Sequence, residues 1–173
     1  MEIFKNKAPS VVQIIQAVGE EFSVHYLPNS DEVSEKQLLV EISQSADEHN
    51  PLTMEIMMLP DDDDIYLLQL FAGLPYEVLK EQISEVCRLI VSINAQLPLI
   101  GFGMLEESSL IFFRCVVPCP LVELNADSIL NSIYVIQHSI QVLGPVVSKL
   151  ANGTCSFEEA IRSASVSMNF KNT

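Results

Sequence analysis

LPLIGFGMLEESSLIFFRCVV, residues Leu97 to Val117, has the pattern of two strands joined by a polar turn, yet both of its faces are apolar. Along the first strand Leu99, Gly101, Gly103 and Leu105 alternate with Ile100, Phe102 and Met104. Beyond the turn, Leu110, Phe112 and Val116 alternate with Ile111, Phe113, Cys115 and Val117. Successive strand side chains point to opposite sides of a sheet, so this hairpin calls for cover on both. One side can be covered by the chain's own helices; the other asks for a second partner.

The segments around the hairpin supply those helices. Before it, Leu79, Ile83, Val86, Ile90, Ile93 and Leu97 recur at steps of four and three, predicting a helix over about 76–95 with Pro75 at its first position. After it, Pro118 and Pro120 are expected to end the strand. Asn125 then caps a second helix, in which Ile129, Ile133, Ile136, Ile140, Leu143, Val147 and Leu150 form one continuous stripe ended by Asn152-Gly153. Pro145 should kink that helix, because it cannot donate to the carbonyl of Gln141.

Working outward, Ser10-Val-Val-Gln13 matches a capping box and starts an amphipathic helix over about 10–21. A short strand is expected near Ser23 to Leu27, another over Gln37 to Ser43, and a hairpin with strands near 52–59 and 65–72. Ser156-Phe-Glu-Glu159 is a second capping box and starts a short helix to about Ala164, ahead of a polar tail. This order predicts an α+β, two-layer fold: a mainly antiparallel sheet of about five strands with long helices on one face. The 173 residues are expected to form a single domain, its core at about 8–153 and a short C-terminal helix and tail over 154–173.

Composition narrows the function. With 23 Asp and Glu against 9 Lys and Arg, the net charge is −14 and the pI about 4.4, which repels nucleic-acid phosphates and anionic lipid. No nucleic-acid or membrane partner is expected. The opening MEIFKNKAPSVVQ has no apolar core of a secretory signal, so the expected compartment is the cytoplasm. Only 18% of residues are charged and the mean hydropathy is +0.29, more apolar surface than a monomer of this size needs.

No catalytic, metal or cofactor site is expected. His25, His49 and His138 are scattered, and Cys87, Cys115, Cys119 and Cys155 lack zinc-site spacing, so the cysteines read as small buried hydrophobes. Asp61 to Asp64 could gather a cation but lack the spaced ligands of a calcium loop; they read as a solvated hairpin tip. The glycines of Gly101-Phe-Gly103 sit inside a strand, where they permit close approach of other groups instead of cradling phosphate. Met54, Met57 and Met58 fall on both faces of one strand, as gap fillers or as an adaptable surface.

The segment LPLIGFGMLEESSLIFFRCVVP and the helix NADSILNSIYVIQHSIQVLGPVVSKLANG resemble the YbjN-like group of the type III secretion chaperone-like superfamily, most clearly from Ala95 to Gly153. Within that group the sequence resembles a cyanobacterial family of similar length. The resemblance implies small acidic dimers that act as secretion chaperones or regulators, with a helix, three strands, a helix, two strands and a helix in order. Pro145 and the segment after Gly153 depart from the secretion chaperones.

These readings converge on a non-catalytic protein-binding module, chaperone-like or regulatory, acting as a homodimer and holding a protein or peptide partner in grooves beside the sheet edge. The candidate dimer or partner surface comprises Leu89, Ile93, Phe102, Leu110, Phe112, Phe113, Val116, Leu130, Tyr134, Val142 and Val146. The alternative is a small-molecule binder or enzyme with an apolar pocket near Phe102, Phe112, Phe113 and Cys115.

Overall fold

Alternating apolar residues and two four-and-three stripes produce an α+β protein. The computed structural model describes residues 18–19, 22–26, 38–42, 52–59, 66–97, 101–119 and 126–169. Its strands are β1 (Ser23–Tyr26), β2 (Leu38–Ile42), β3 (Leu52–Leu59), β4 (Tyr66–Leu74), β5 (Phe102–Leu105) and β6 (Leu110–Cys119). The helices are α1 (Ile83–Asn94), α2 (Ala126–Ala151) and α3 (Phe157–Asn169). Six strands form, close to the five or so expected: the short strand expected before Pro28 pairs as β1 and puts a fourth strand ahead of α1, where the resemblance implies three. Of the helix expected over 10–21, only Val18 and Gly19 are described, and both are helical; Asp61–Asp64, His49 and Cys119's side chain lie outside the described residues.

The chain divides into two compact units: residues 1–71 with 116–135, and residues 72–115 with 136–173. In the first, strands follow the order β1-β2-β3-β4-β6, and the described pairs are antiparallel. Register places Val40 opposite Met54 and Ile56 opposite Leu70, all four buried, and Leu39 opposite Glu55 and Glu55 opposite Phe71, all half-buried. β2, β3 and β4 therefore each have a dry face and a wetter one, the period-two signature of a sheet covered on one side. Val18, Ile129 and Ile133 are also buried in this unit, and the ring of Tyr134 lies 5.6 Å from that of Phe22.

In the second unit the order is β4-β6-β5. β5 and β6 form the predicted hairpin, pairing Phe102 with Phe113, Gly103 with Phe112, Met104 with Ile111 and Leu105 with Leu110. Its four-residue turn closes with Ser109 N–H donating to the Glu106 carbonyl at 3.3 Å, Ser109 taking a left-handed φ of 52°. Buried Phe102 and Phe113 meet edge to face with centroids 4.9 Å apart. α1 packs against β5 and α3 against α1. Across the latter contact the Arg88 guanidinium lies 4.1 Å from the ring centroid of Phe157, near enough for a cation–π attraction.

The long stripe on α2 is buried throughout, from Ile129 to Leu150, and the helix continues through Pro145 to Ala151. A Cβ on Gly144 would strike the hydroxyl at the tip of the Tyr76 side chain, which would have to shift. α2 ends in a Schellman motif. Gly153, at φ +72°, donates to the Leu150 carbonyl at 3.0 Å, and Thr154 N–H donates to that of Lys149 at 2.9 Å. Three residues later the capping box closes, Ser156 N–H donating to Glu159 Oε2 at 2.8 Å and Glu159 N–H to Ser156 Oγ at 3.2 Å.

Three boundaries differ from expectation. Helix does not begin at Pro75: residues 75–79 are non-helical, Leu79 N–H donates to the Ala151 carbonyl at 2.9 Å, and a 3-10 turn over Lys80–Gln82 leads into α1. Satisfying that helix-end carbonyl holds Leu79 extended, at ψ 139°. β6 runs past Pro118 to Cys119; a proline is tolerated where a strand's nitrogen has no ladder partner to serve. α3 continues beyond Ala164 to Asn169 and buries Ala160 and Ala164, so the C-terminal segment contributes core.

Gly101 and Gly103 separate the two sides of the hairpin. A Cβ on Gly101 would enter the buried ring of Phe113, and one on Gly103 the half-buried ring of Phe112. Gly101→Ala should therefore cost about 1–3 kcal/mol as an overpacked core. Gly103→Ala should cost less, because Phe112 has solvent into which to swing. Urea unfolding midpoints of the two variants, compared with the unaltered chain, check the order.

Candidate interaction surface

The hairpin's two apolar sides are not equivalent once folded. Phe102, Ile111, Phe113 and Cys115 point inward and are buried. On the other side lie Leu105, 51% exposed, half-buried Leu110 and Phe112, and exposed Arg114. This outward side is the second unit's candidate surface: apolar side chains set by strand pairing, with Gly103 leaving room for the Phe112 ring and Leu110 seated beside Gly73.

The structure distributes the expected surface residues between core and exterior. Leu89, Ile93, Phe102 and Phe113 are core residues, 0–4% exposed, and are thereby removed from any surface of the folded chain. Leu89 is buried because α1 uses a wider face than its four-and-three stripe, burying Val86, Leu89, Ile90 and Ile93 together. Leu110, Phe112, Leu130, Val142 and Val146 are half-buried. Val116 and Tyr134, in the first unit, are 36% and 42% exposed. Among the described residues Leu79, Val91, Leu105, Val135 and Val166 are exposed apolar side chains that the candidate surface omitted, although alternation had placed Leu105 on the hairpin's first strand.

The pocket of the alternative reading is occupied by the protein itself. Phe102 and Phe113 fill each other's surroundings, and Cys115 is buried. A cleft of about 340 Å³ lies elsewhere in the second unit, at the α2–α3 corner, lined by Pro145, Val146, Lys149, Thr154, Cys155, Glu159, Ala160 and Ser163. Two of its polar side chains, Thr154 and Glu159, already serve the helix ends. Thr154 Oγ1 donates to the Lys149 carbonyl at 3.1 Å and lies 2.7 Å from Asn152 Oδ1, while Glu159 closes the capping box.

The thiols are poorly suited to nucleophilic work. Burial pushes the Cys87, Cys115 and Cys155 thiols up, with nearby Glu106 adding to the effect at Cys87 and Glu159 at Cys155, where Lys149 partly opposes it. Cys115 is buried as expected, whereas Cys87 and Cys155 are half-buried. Cys87 Sγ sits 3.9 Å from Met104 Sδ. Among the described residues no three His, Cys, Asp or Glu side chains gather as a metal site.

The sheet edge is also partly closed. Asn94, at the end of α1, donates from Nδ2 to the Phe102 carbonyl at 2.8 Å and accepts from the Phe102 N–H at 3.1 Å through Oδ1. No helix among the described residues is long and apolar enough to cross a membrane. The chain matches no model of a known protein family and gives no significant match to a curated protein.

Two pH-linked outcomes follow from these groups. Iodoacetamide labelling of the native chain at about pH 7 should be slow at Cys87 and Cys155 and slowest at Cys115, because raised thiol values leave little thiolate; peptide mass mapping against time checks this. The Ser156 backbone N–H, followed by the Ser156 hydroxyl, holds the Glu159 carboxyl below the ordinary carboxylate range. The folded value lies below the unfolded one, so the cap's contribution is present above the ordinary carboxylate range and lost as pH falls through the lowered value. The protection factor of the Ser156 amide, taken relative to intrinsic exchange at each pH, should drop over that fall, and Glu159→Gln should remove this change in protection while keeping an acceptor.

Proposed function

We propose that this chain is a non-catalytic protein-binding module, chaperone-like or regulatory, that works in the cytoplasm as a homodimer. The observation that carries the proposal is the outward side of the β5–β6 hairpin, where Leu105 is 51% exposed beside half-buried Leu110 and Phe112. Contiguous apolar surface on the open side of a sheet is rarely left to water in a stable monomer. A second copy is the cover we favour, since a two-fold contact lets one patch meet itself. The likeness of Ala95 to Gly153 to the YbjN-like group of the type III secretion chaperone-like superfamily, whose members are small acidic dimers, supports the same reading.

The acidity of the chain fits this division of labour. A net charge of −14 makes close approach of two copies unfavourable except where apolar contact outweighs repulsion. Self-association should therefore strengthen with salt, which screens that repulsion. A partner held by the dimer would be protein or peptide, recognised by apolar contact and bearing basic side chains.

Light scattering after size exclusion should give twice the 19.2 kDa chain mass across the micromolar range. Leu105→Glu should weaken the dimer at least about tenfold, equivalent to about 1.4 kcal/mol. Val91→Glu, at a 70% exposed position on α1, should leave it unchanged. A chain that runs as a monomer throughout that range overturns the homodimer.

A further inference from the structure

We infer that Asn94 is a stopper built into the fold, closing the open edge of β5 against a second copy of this chain. β5 is the terminal strand of the β4-β6-β5 order, so one of its edges has no neighbouring strand among the described residues. In an antiparallel ladder, alternate residues turn their N–H and C=O toward the partner strand and the rest turn both away. Arg114 N–H donates to the Gly101 carbonyl at 2.8 Å, which sets the alternation. Gly101, Gly103 and Leu105 face β6, while Phe102 and Met104 present their backbone groups to the outer edge.

Asn94 takes the first of those two positions. Its amide supplies a donor to the Phe102 carbonyl at 2.8 Å and an acceptor for the Phe102 N–H at 3.1 Å, and Oδ1 lies 3.5 Å from the Gly101 nitrogen. One planar side-chain amide thus imitates the peptide group a neighbouring strand would offer. Its position at the last residue of α1, eight residues before Phe102, makes the imitation a local one.

The arithmetic of the edge shows why one amide is enough. Two copies of β5 pairing antiparallel about a two-fold axis at Gly103 would match Phe102 of each with Met104 of the other, exchanging four hydrogen bonds. With Phe102 engaged by Asn94, only Met104 against Met104 remains, with two. The sequence Phe-Gly-Met-Leu carries no charge or proline to discourage pairing, so the guard has to come from outside the strand.

This inference is independent of the homodimer proposed above, which uses the sheet's outward side; each variant is compared with the unaltered chain, whatever its mass. In the unaltered chain, hydrogen exchange resolved by residue should show the Phe102 amide at least about a hundredfold slower than the Met104 amide. Equal rates, whether both fast or both protected, overturn the assignment. Asn94→Ala should tighten self-association at least tenfold in light scattering, giving assemblies larger than those of the unaltered chain, and should erase the Phe102 protection at concentrations too low for those assemblies to form. Adding Met104→Pro, which removes an outer-edge donor without touching the β5–β6 ladder, should return the mass to that of the unaltered chain. A folded Asn94→Ala protein with unchanged masses across the micromolar range overturns the inference, and if that variant fails to fold the exchange comparison decides it.

Discussion

The edge-to-face contact of Phe102 with Phe113 is the constraint on which the second unit is built. It joins directly opposed residues of β5 and β6, so it holds the hairpin in one register. A slip of one residue would turn Phe112 and Leu110 inward and send Phe113 and Ile111 out. It would also destroy the fit of Gly101 to the Phe113 ring and Gly103 to the Phe112 ring. Glycine on one strand opposite phenylalanine on the other makes the register a matter of shape as well as of hydrophobicity.

From that register the inner and outer chemistry follow. Inward side chains meet the layer that includes α1, which packs on β5 and carries Asn94 to the strand's edge. Outward side chains keep Leu105 and Arg114 in water, with Leu110 and Phe112 half covered. The same pairing that dries one side therefore leaves the other apolar and accessible. A chain with 49% hydrophobic residues and few charges has little polar material with which to cover it.

Periodic features were legible from the residues alone. Every member of the stripe from Ile129 to Leu150 is buried, because seven residues at steps of four and three leave a helix only one face to present. β2, β3, β4 and the β5–β6 hairpin lie close to where alternation put them. What the pattern left open was which side of the hairpin faces inward, since both sides are apolar; Phe102 and Phe113, expected at the surface, belong to the core, as do Leu89 and Ile93 on the buried face of α1. The start of α1 was also hidden, because Pro75 is a good first helical residue and the competing bond from Leu79 to Ala151 spans 72 positions of the chain. Asn94 carried no signal either. A polar residue near a helix end looks like ordinary solvent-facing surface until the following strand is brought beside it.

The corner between α2 and α3 shows how little tertiary help a sharp reversal requires. The bonds of its Schellman motif and capping box join residues three to five positions apart between Lys149 and Glu159. Such short loops are inexpensive to close and rapid to form. This stretch can reverse direction before distant strands have found one another, handing the later stages of folding a ready-made elbow of fixed length in which an inserted residue would have no place.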